Sequence, residues 1–202
     1  MKKELRWVTT NKHNSPAAGA TQGYMCLFAT VMRHAKKQDN IDNLRYNYRE
    51  FIMKQKRICK LILIALIGFL ALGAFYGGIV LIISPDGSFF NMPLDLLSNS
   101  PFKTFLIPGI ILLTTFGIFP IFVIYGLIRK PKSKFFNKLN LLYDYHFAWT
   151  FAIYIGLGQI IWINVQTFIF NSVDIIHTIY SSLGILIICI SLLPQTRKNY
   201  KQ

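Results

Sequence analysis

Four long apolar runs, separated by polar or basic connectors, dominate the chain. Leu61 to Ile83 holds 23 residues and no charge. At about 1.5 Å per residue a helix of that length covers roughly 34 Å, enough to cross a hydrocarbon core of about 30 Å. Phe105–Ile128 and Phe147–Phe170 are likewise uncharged. The fourth run, Ile175–Leu193, opens with His177, Thr178, Ser181 and Ser182 and is strongly apolar only from Ile179. The pattern predicts an all-α membrane protein with four transmembrane helices over about 61–83, 105–128, 147–170 and 175–193.

The connectors carry their own signals. Ser84-Pro85-Asp86-Gly87 reads as a turn, with Pro suited to the second position and Gly to the fourth. Met92 to Leu97 is expected to form a short outer-loop helix. Ser100 is expected to cap the second span with Pro101 at its first position, where no amide donor is needed. Pro108 and Pro120 lie within that span and predict kinks, which bilayer helices tolerate when neighbours satisfy the freed carbonyls. No half of the chain resembles the other closely enough to make an inverted repeat.

Residues 1–52 differ in kind and are set apart from a transmembrane domain at 53–202. They are polar and basic, with one apolar stretch from Tyr24 to Met32 that is too short to span. Tyr24, Phe28, Val31 and Ala35 share a helical face, as an interfacial helix would require. Met53-Lys-Gln-Lys-Arg-Ile-Cys-Lys followed by Leu61 is equally a normal opening for a membrane protein. Two readings therefore stand side by side: a basic cytoplasmic extension, or a loose tail upstream of a natural start at Met53.

Composition agrees with the pattern. Hydrophobic residues make up 53% and charged residues 15%, against about 25% charged in a soluble domain, and the mean hydropathy is +0.41. This excludes a disordered chain and argues against a soluble globule. The net charge of +14 would suit nucleic acid, but the bases flank the apolar runs. Residues 1–60 carry 13 Lys or Arg and the 129–146 connector five, with three more in the tail after Leu193. The 84–104 loop has only Lys103, against Asp86 and Asp95. Thus 21 of the 22 bases fall on one side of a four-span topology. By the positive-inside rule both termini are cytoplasmic, and the expected location is the plasma (inner) membrane. No nucleic-acid partner is expected. The expected partner is the bilayer, with anionic headgroups at the basic face gripped by the 129–138 loop. Tyr143, Tyr145 and Trp149 are expected in an aromatic belt there.

Candidate chemistry is sparse. Gln159, Trp162 and Gln166 fall at i, i+3 and i+7 and form a polar intramembrane face, with Asn164 off the stripe. Such amides serve either as interhelical glue or as a polar binding path. No ionisable residue lies deep in a span, which speaks against a proton pump or an ion-coupled transporter. Gly73 and Gly77, echoed by Ala74 and Gly78, and the pair Ala152 and Gly156 are small-xxx-small spacings for close helix packing, within the chain or in a homodimer. His146 and His177 belong to opposite sides and cannot share a metal. Cys26, Cys59 and Cys189 form no CxxC pair and read as free thiols, with Cys59, beside Lys56, Arg57 and Lys60, open to palmitoylation. No catalytic, cofactor-binding or metal residues are assigned, and no enzyme is expected.

From Met53 onward the chain resembles a group of small bacterial membrane proteins with four predicted helices and no assigned activity. The resemblance rests on Ser84-Pro85-Asp86-Gly87-Ser88, Pro93-Leu94, Leu96-Leu97 and Ser100-Pro101-Phe102. It continues through Phe105-Leu106-Ile107-Pro108-Gly109 and Ile161-Trp162-Ile163-Asn164-Val165-Gln166. It implies a location and a fold, and no reaction. The expected role is a non-enzymatic structural or accessory subunit; the alternative is a small transporter or channel component using the Gln159/Trp162/Gln166 face.

Overall fold

A computed structural model describes the backbone of residues 16–202 and the side chains of 33, 34 and 36–202. The expected interfacial face of Tyr24, Phe28, Val31 and Ala35 therefore lies outside the described side chains. The chain divides into two units, Met1–Phe51 and Ile52–Gln202.

Helix α1 runs from Pro16 to Ile83, so the first apolar run is the last third of a longer helix. It stops where the residue before Pro85 cannot stay helical. Within its apolar part, Leu63, Ile67, Leu70, Ala74 and Leu81 are buried. Their steps of three, four and seven residues mark one face of a helix. The second apolar run is a composite. Helix α2, Leu106–Leu112, passes into a π-helical turn at Leu113–Ile118 and then into α3, Phe119–Arg129. Pro120 has no N–H to give the preceding turn, so bonding slips to i→i+5 there, with Phe119 N–H reaching Thr114 O. Pro108 costs no hydrogen bond because it sits in the first turn of α2. Helix α4, Lys134–Lys138, is a single short turn capped by Ser133. Helices α5, Phe147–Phe170, and α6, Ile175–Leu192, form a hairpin, followed by the short α7, Pro194–Arg197. Among the described residues four helices are long and apolar enough to cross a membrane, α2 to α3 counting as one.

Three expectations need correction. The second span begins at Leu106 rather than at Ser100. Ser100 instead closes a local turn, its Oγ donating to Leu97 O at 2.9 Å and accepting from Phe102 N–H at 3.2 Å. The outer-loop helix is two short 3-10 turns, Ser88–Phe90 and Leu94–Leu97. Leu97 packs in one buried cluster with Leu81 and Phe105, and Pro93, which has no N–H to give, separates the two turns. Tyr145 and Trp149 do not join a lipid-facing belt. They are 8% and 2% exposed and belong to the core.

The turn at Ser84–Gly87 forms as expected, with Gly87 N–H donating to Ser84 O at 3.1 Å. Gly87 has φ +77°, and a Cβ there would strike the Met92 carbonyl, so only glycine fits. Asp86 accepts from Ser84 Oγ at 2.7 Å and from Ser88 Oγ at 3.0 Å. These hydrogen bonds hold its carboxyl below the usual range.

Candidate functional site

The bundle closes around α5. Its small residues let two neighbours approach backbone to backbone. A Cβ on Gly156 would lie 2.8 Å from Gly184 O on α6 and 2.7 Å from Ile188 Cγ1. On the α3 side, a Cβ on Gly126 would lie 2.8 Å from the Ala148 Cβ. Ala152, on the same face as Gly156, is fully buried. Gly73 faces the Tyr180 ring of α6. Gly77 lies near Leu112, and the tighter approach of α1 to α2 is made by Gly78 against Gly109 O.

The structure splits the predicted polar stripe between two neighbours. Gln159 is 2% exposed and faces Gly184 of α6, where an added Cβ would sit 3.4 Å from the Gln159 Cβ. Trp162 turns toward the π-helical turn, its ring centroid 6.1 Å from that of Phe116. Gln166 is half-buried nearer the C-terminal end of α5. Asn164 is exposed and bonds back to Ile160 O at 2.7 Å, which satisfies its amide within the helix. Among the described residues, Gln159 Oε1 and Trp162 Nε1 are buried polar atoms with no hydrogen-bond partner. Such atoms are rare and costly, and here an acceptor and a donor are orphaned three residues apart on one helix.

A second cluster lies where the basic segments meet. Helix α5 starts at His146, whose Nδ1 accepts from Ala148 N–H at 3.3 Å. That acceptor role leaves the proton on Nε2, which donates to Pro131 O at 3.0 Å. Burial pushes the imidazole below its ordinary range, and nearby Lys130 adds to this, while the Pro131 bond opposes it. The C-terminal tail folds back over this helix start. His146 N–H donates to Tyr200 O at 2.8 Å, and Gln202 N–H donates to Asp144 O at 2.9 Å. The Tyr200 ring is 1% exposed and its hydroxyl donates to Leu127 O at 3.0 Å. Burial raises that phenol well above its usual value, so it stays a donor at physiological pH. Arg197 donates from Nε to the Tyr145 hydroxyl and lies over its ring. Trp149 Nε1 donates to Ser191 O at 2.8 Å, satisfying a carbonyl in the last turn of α6.

These contacts bring Lys56, Lys60, Lys130 and Arg197 to one end of the 52–202 unit. Asn199 Nδ2 donates to Lys56 O, Lys130 Nζ to Asn199 O and Lys60 Nζ to Ile128 O. Burial lowers the Lys130 ammonium, and the positive charges of Lys60 and Lys56 lower it further. At the opposite end Asp174 and His177 form a reciprocal cap on α6. His177 therefore has a structural task, and the two histidines stand at opposite ends. Among the described residues no group of His, Cys, Asp or Glu is arranged to hold a metal ion. Cys59 and Cys189 are free; Cys59 is 8% exposed, which closes it to the acylation its basic neighbours suggested.

The tail clasp was missed by sequence reasoning. The available signal was Tyr200, an aromatic set among Arg197, Lys198 and Lys201 in an otherwise polar tail. Compared with family models, with curated proteins and with solved structures, the chain gives no match.

Proposed function

We propose that this chain is a multi-pass protein of the plasma (inner) membrane, with both termini in the cytoplasm, and that it serves as a structural or accessory subunit without chemistry of its own. The observation that carries this reading is the closed polar face of α5. Gln159 is packed against α6 and Trp162 against the π-helical turn, so both side chains fill the seams between helices rather than line an open path. The gathering of Lys56, Lys60, Lys130 and Arg197 at one end supports the orientation, since basic residues stay on the cytoplasmic side. Co-purification from native membranes in mild detergent tests the role. A stoichiometric partner or a homodimer is expected, and a lone monomer at all detergent levels overturns it. For the orientation, a cysteine at Ser98 should react with an impermeant reagent on intact cells. Labelling only after the cytoplasm is opened would reverse the topology.

A second reading, a small transporter or channel component, draws on the orphaned Gln159 Oε1 and Trp162 Nε1, which a polar guest would satisfy. Gln159→Leu with Gln166→Leu separates the two. A packing subunit keeps its fold and its partner. A transporter keeps its fold and loses its flux.

A further inference from the structure

The outer face between α3 and α5 holds a cavity of about 250 Å³. Phe122 and Val123 of α3, Phe136 of α4 and Phe151 of α5 line it, and Pro131 and Ser133 of the basic loop close one end. It is larger than the roughly 150 Å³ apolar cavities that hold a benzene. Val123 is 1% exposed and Phe122 is 58% exposed, so the cavity runs from the packed interior to the outer surface of α3. Its position along the spans is defined by sequence. Val123 stands two turns before the end of α3, and Phe147 and Phe151 open α5. The space thus extends from the loop into the membrane-crossing part of the bundle.

The rim is charged. Exposed Lys132 and Lys134 flank Ser133, and exposed Arg129 ends α3. Phe135, Leu139 and Leu141 beside them are exposed as well. Cations next in sequence to an apolar slot suit one kind of molecule, an amphiphile with an anionic head and a hydrocarbon tail. A zwitterionic lipid gains less from three cations, and a peptide has no reason to enter from the bilayer side.

We propose that the α3–α5 cavity is a binding site for an anionic phospholipid. One acyl chain enters between Phe122, Val123 and Phe151, and the phosphate lies against Lys132, Lys134 and Arg129. The site rests on the membrane reading above. Failure of that reading would show as a chain that stays monodisperse without detergent. Failure of the lipid site shows only in reconstituted protein.

The test is lipid retention. The full chain is reconstituted in bilayer discs of equal phosphatidylglycerol and phosphatidylcholine, released into mild detergent and weighed by native mass spectrometry. The wild-type protein should retain phosphatidylglycerol selectively. Lys132→Gln with Lys134→Gln touches only exposed side chains and should lower that retention by about 30-fold, the effect of two basic residues at a membrane surface. Val123→Phe fills the slot and should abolish retention with the cations intact. Thermal unfolding shows whether that variant is folded; if it is not, the lysine pair decides alone. Glycerol phosphate, the head without chains, should not displace the lipid. Equal retention of both lipids, unchanged retention in the lysine pair, displacement by glycerol phosphate, or a lipid-free dimer would each overturn the site.

Discussion

Two glycines on α5, two residues apart, should respond oppositely to the same substitution. A methyl group at Gly156 would lie 2.8 Å from the backbone oxygen of Gly184 and 2.7 Å from Ile188 Cγ1. A backbone atom cannot swing aside, so Gly156→Ala must push α5 and α6 apart. Overpacking of this kind costs about 1–3 kcal/mol. At Gly158 the nearest atoms are in the Phe116 ring at 3.6 Å, ordinary contact distance. Both substitutions gain the same helix-backbone entropy, up to about 1 kcal/mol. That term cancels in the comparison, and the difference between the variants isolates the clash. Gly158→Ala should be neutral or stabilising, and Gly156→Ala less stable than it by about 1–3 kcal/mol. Equilibrium unfolding from mixed micelles, followed by tryptophan fluorescence, reads this directly. A difference below about 0.5 kcal/mol, within ordinary surface scatter, would mean that the two helices do not meet at Gly156. Gly184→Ala is the reciprocal check, since its Cβ would lie 2.9 Å from Gly156 O. Combined with Gly156→Ala it should cost less than the sum, because one separation relieves both clashes.

Trp149→Phe removes the donor to Ser191 O and leaves that buried carbonyl unpaired; a loss of about 1–3 kcal/mol is expected in the same unfolding assay. Tyr200→Ala empties a fully buried ring site and removes the bond to Leu127 O, so about 3–5 kcal/mol should be lost, with the tail newly cleaved by protease. His146 has a folded pKa below its unfolded value of about 6.5. Its contribution is therefore complete above that pH and declines as pH falls from about 6.5 toward the lower folded value. Melting temperature should drop across that window in the wild type, and His146→Asn, which keeps a cap acceptor, should flatten the drop.

Much of the fold was legible because bilayer helices must satisfy their backbone internally, and runs such as Phe147–Phe170 coincide with the helix observed. Local turn chemistry was equally readable at Ser84–Gly87, where each residue type has one task. The start of the second span was not. Ser100-Pro101 has the composition of a helix start, but Phe105 is 1% exposed and its N–H bonds to Pro85 O at 2.8 Å. That long-range anchor keeps residues 101–105 in the loop, and no local pattern encodes it. The aromatic residues at the basic end failed for a similar reason. Tyr and Trp near a span end suit a lipid belt. Here Arg197 and the Ser191 carbonyl offered Tyr145 and Trp149 partners inside the protein instead. The stripe of Gln159, Trp162 and Gln166 was visible as a stripe. Its division between α6 and the π-helical turn depended on Pro120, which shifts the register of the helix facing Trp162.

The geometry of α5 also bears on which surfaces are free to work. A transport cycle needs two helices to separate or slide, opening a path for the solute. At Gly156 and Gly184 the α5–α6 seam is in backbone contact, and Trp149 ties the far end of the hairpin to the last turn of α6. Sliding that seam by one turn would drive Ile188 into the glycine notch. The outer face of α3 and α5 carries no such lock. It presents exposed Phe122 and Tyr125 beside a cavity and a basic loop. The α5–α6 seam is thus closed by glycine contacts and by Trp149, while the exposed apolar surface lies on α3. That division fits the proposed accessory subunit, whose partners and lipids would arrive from the side.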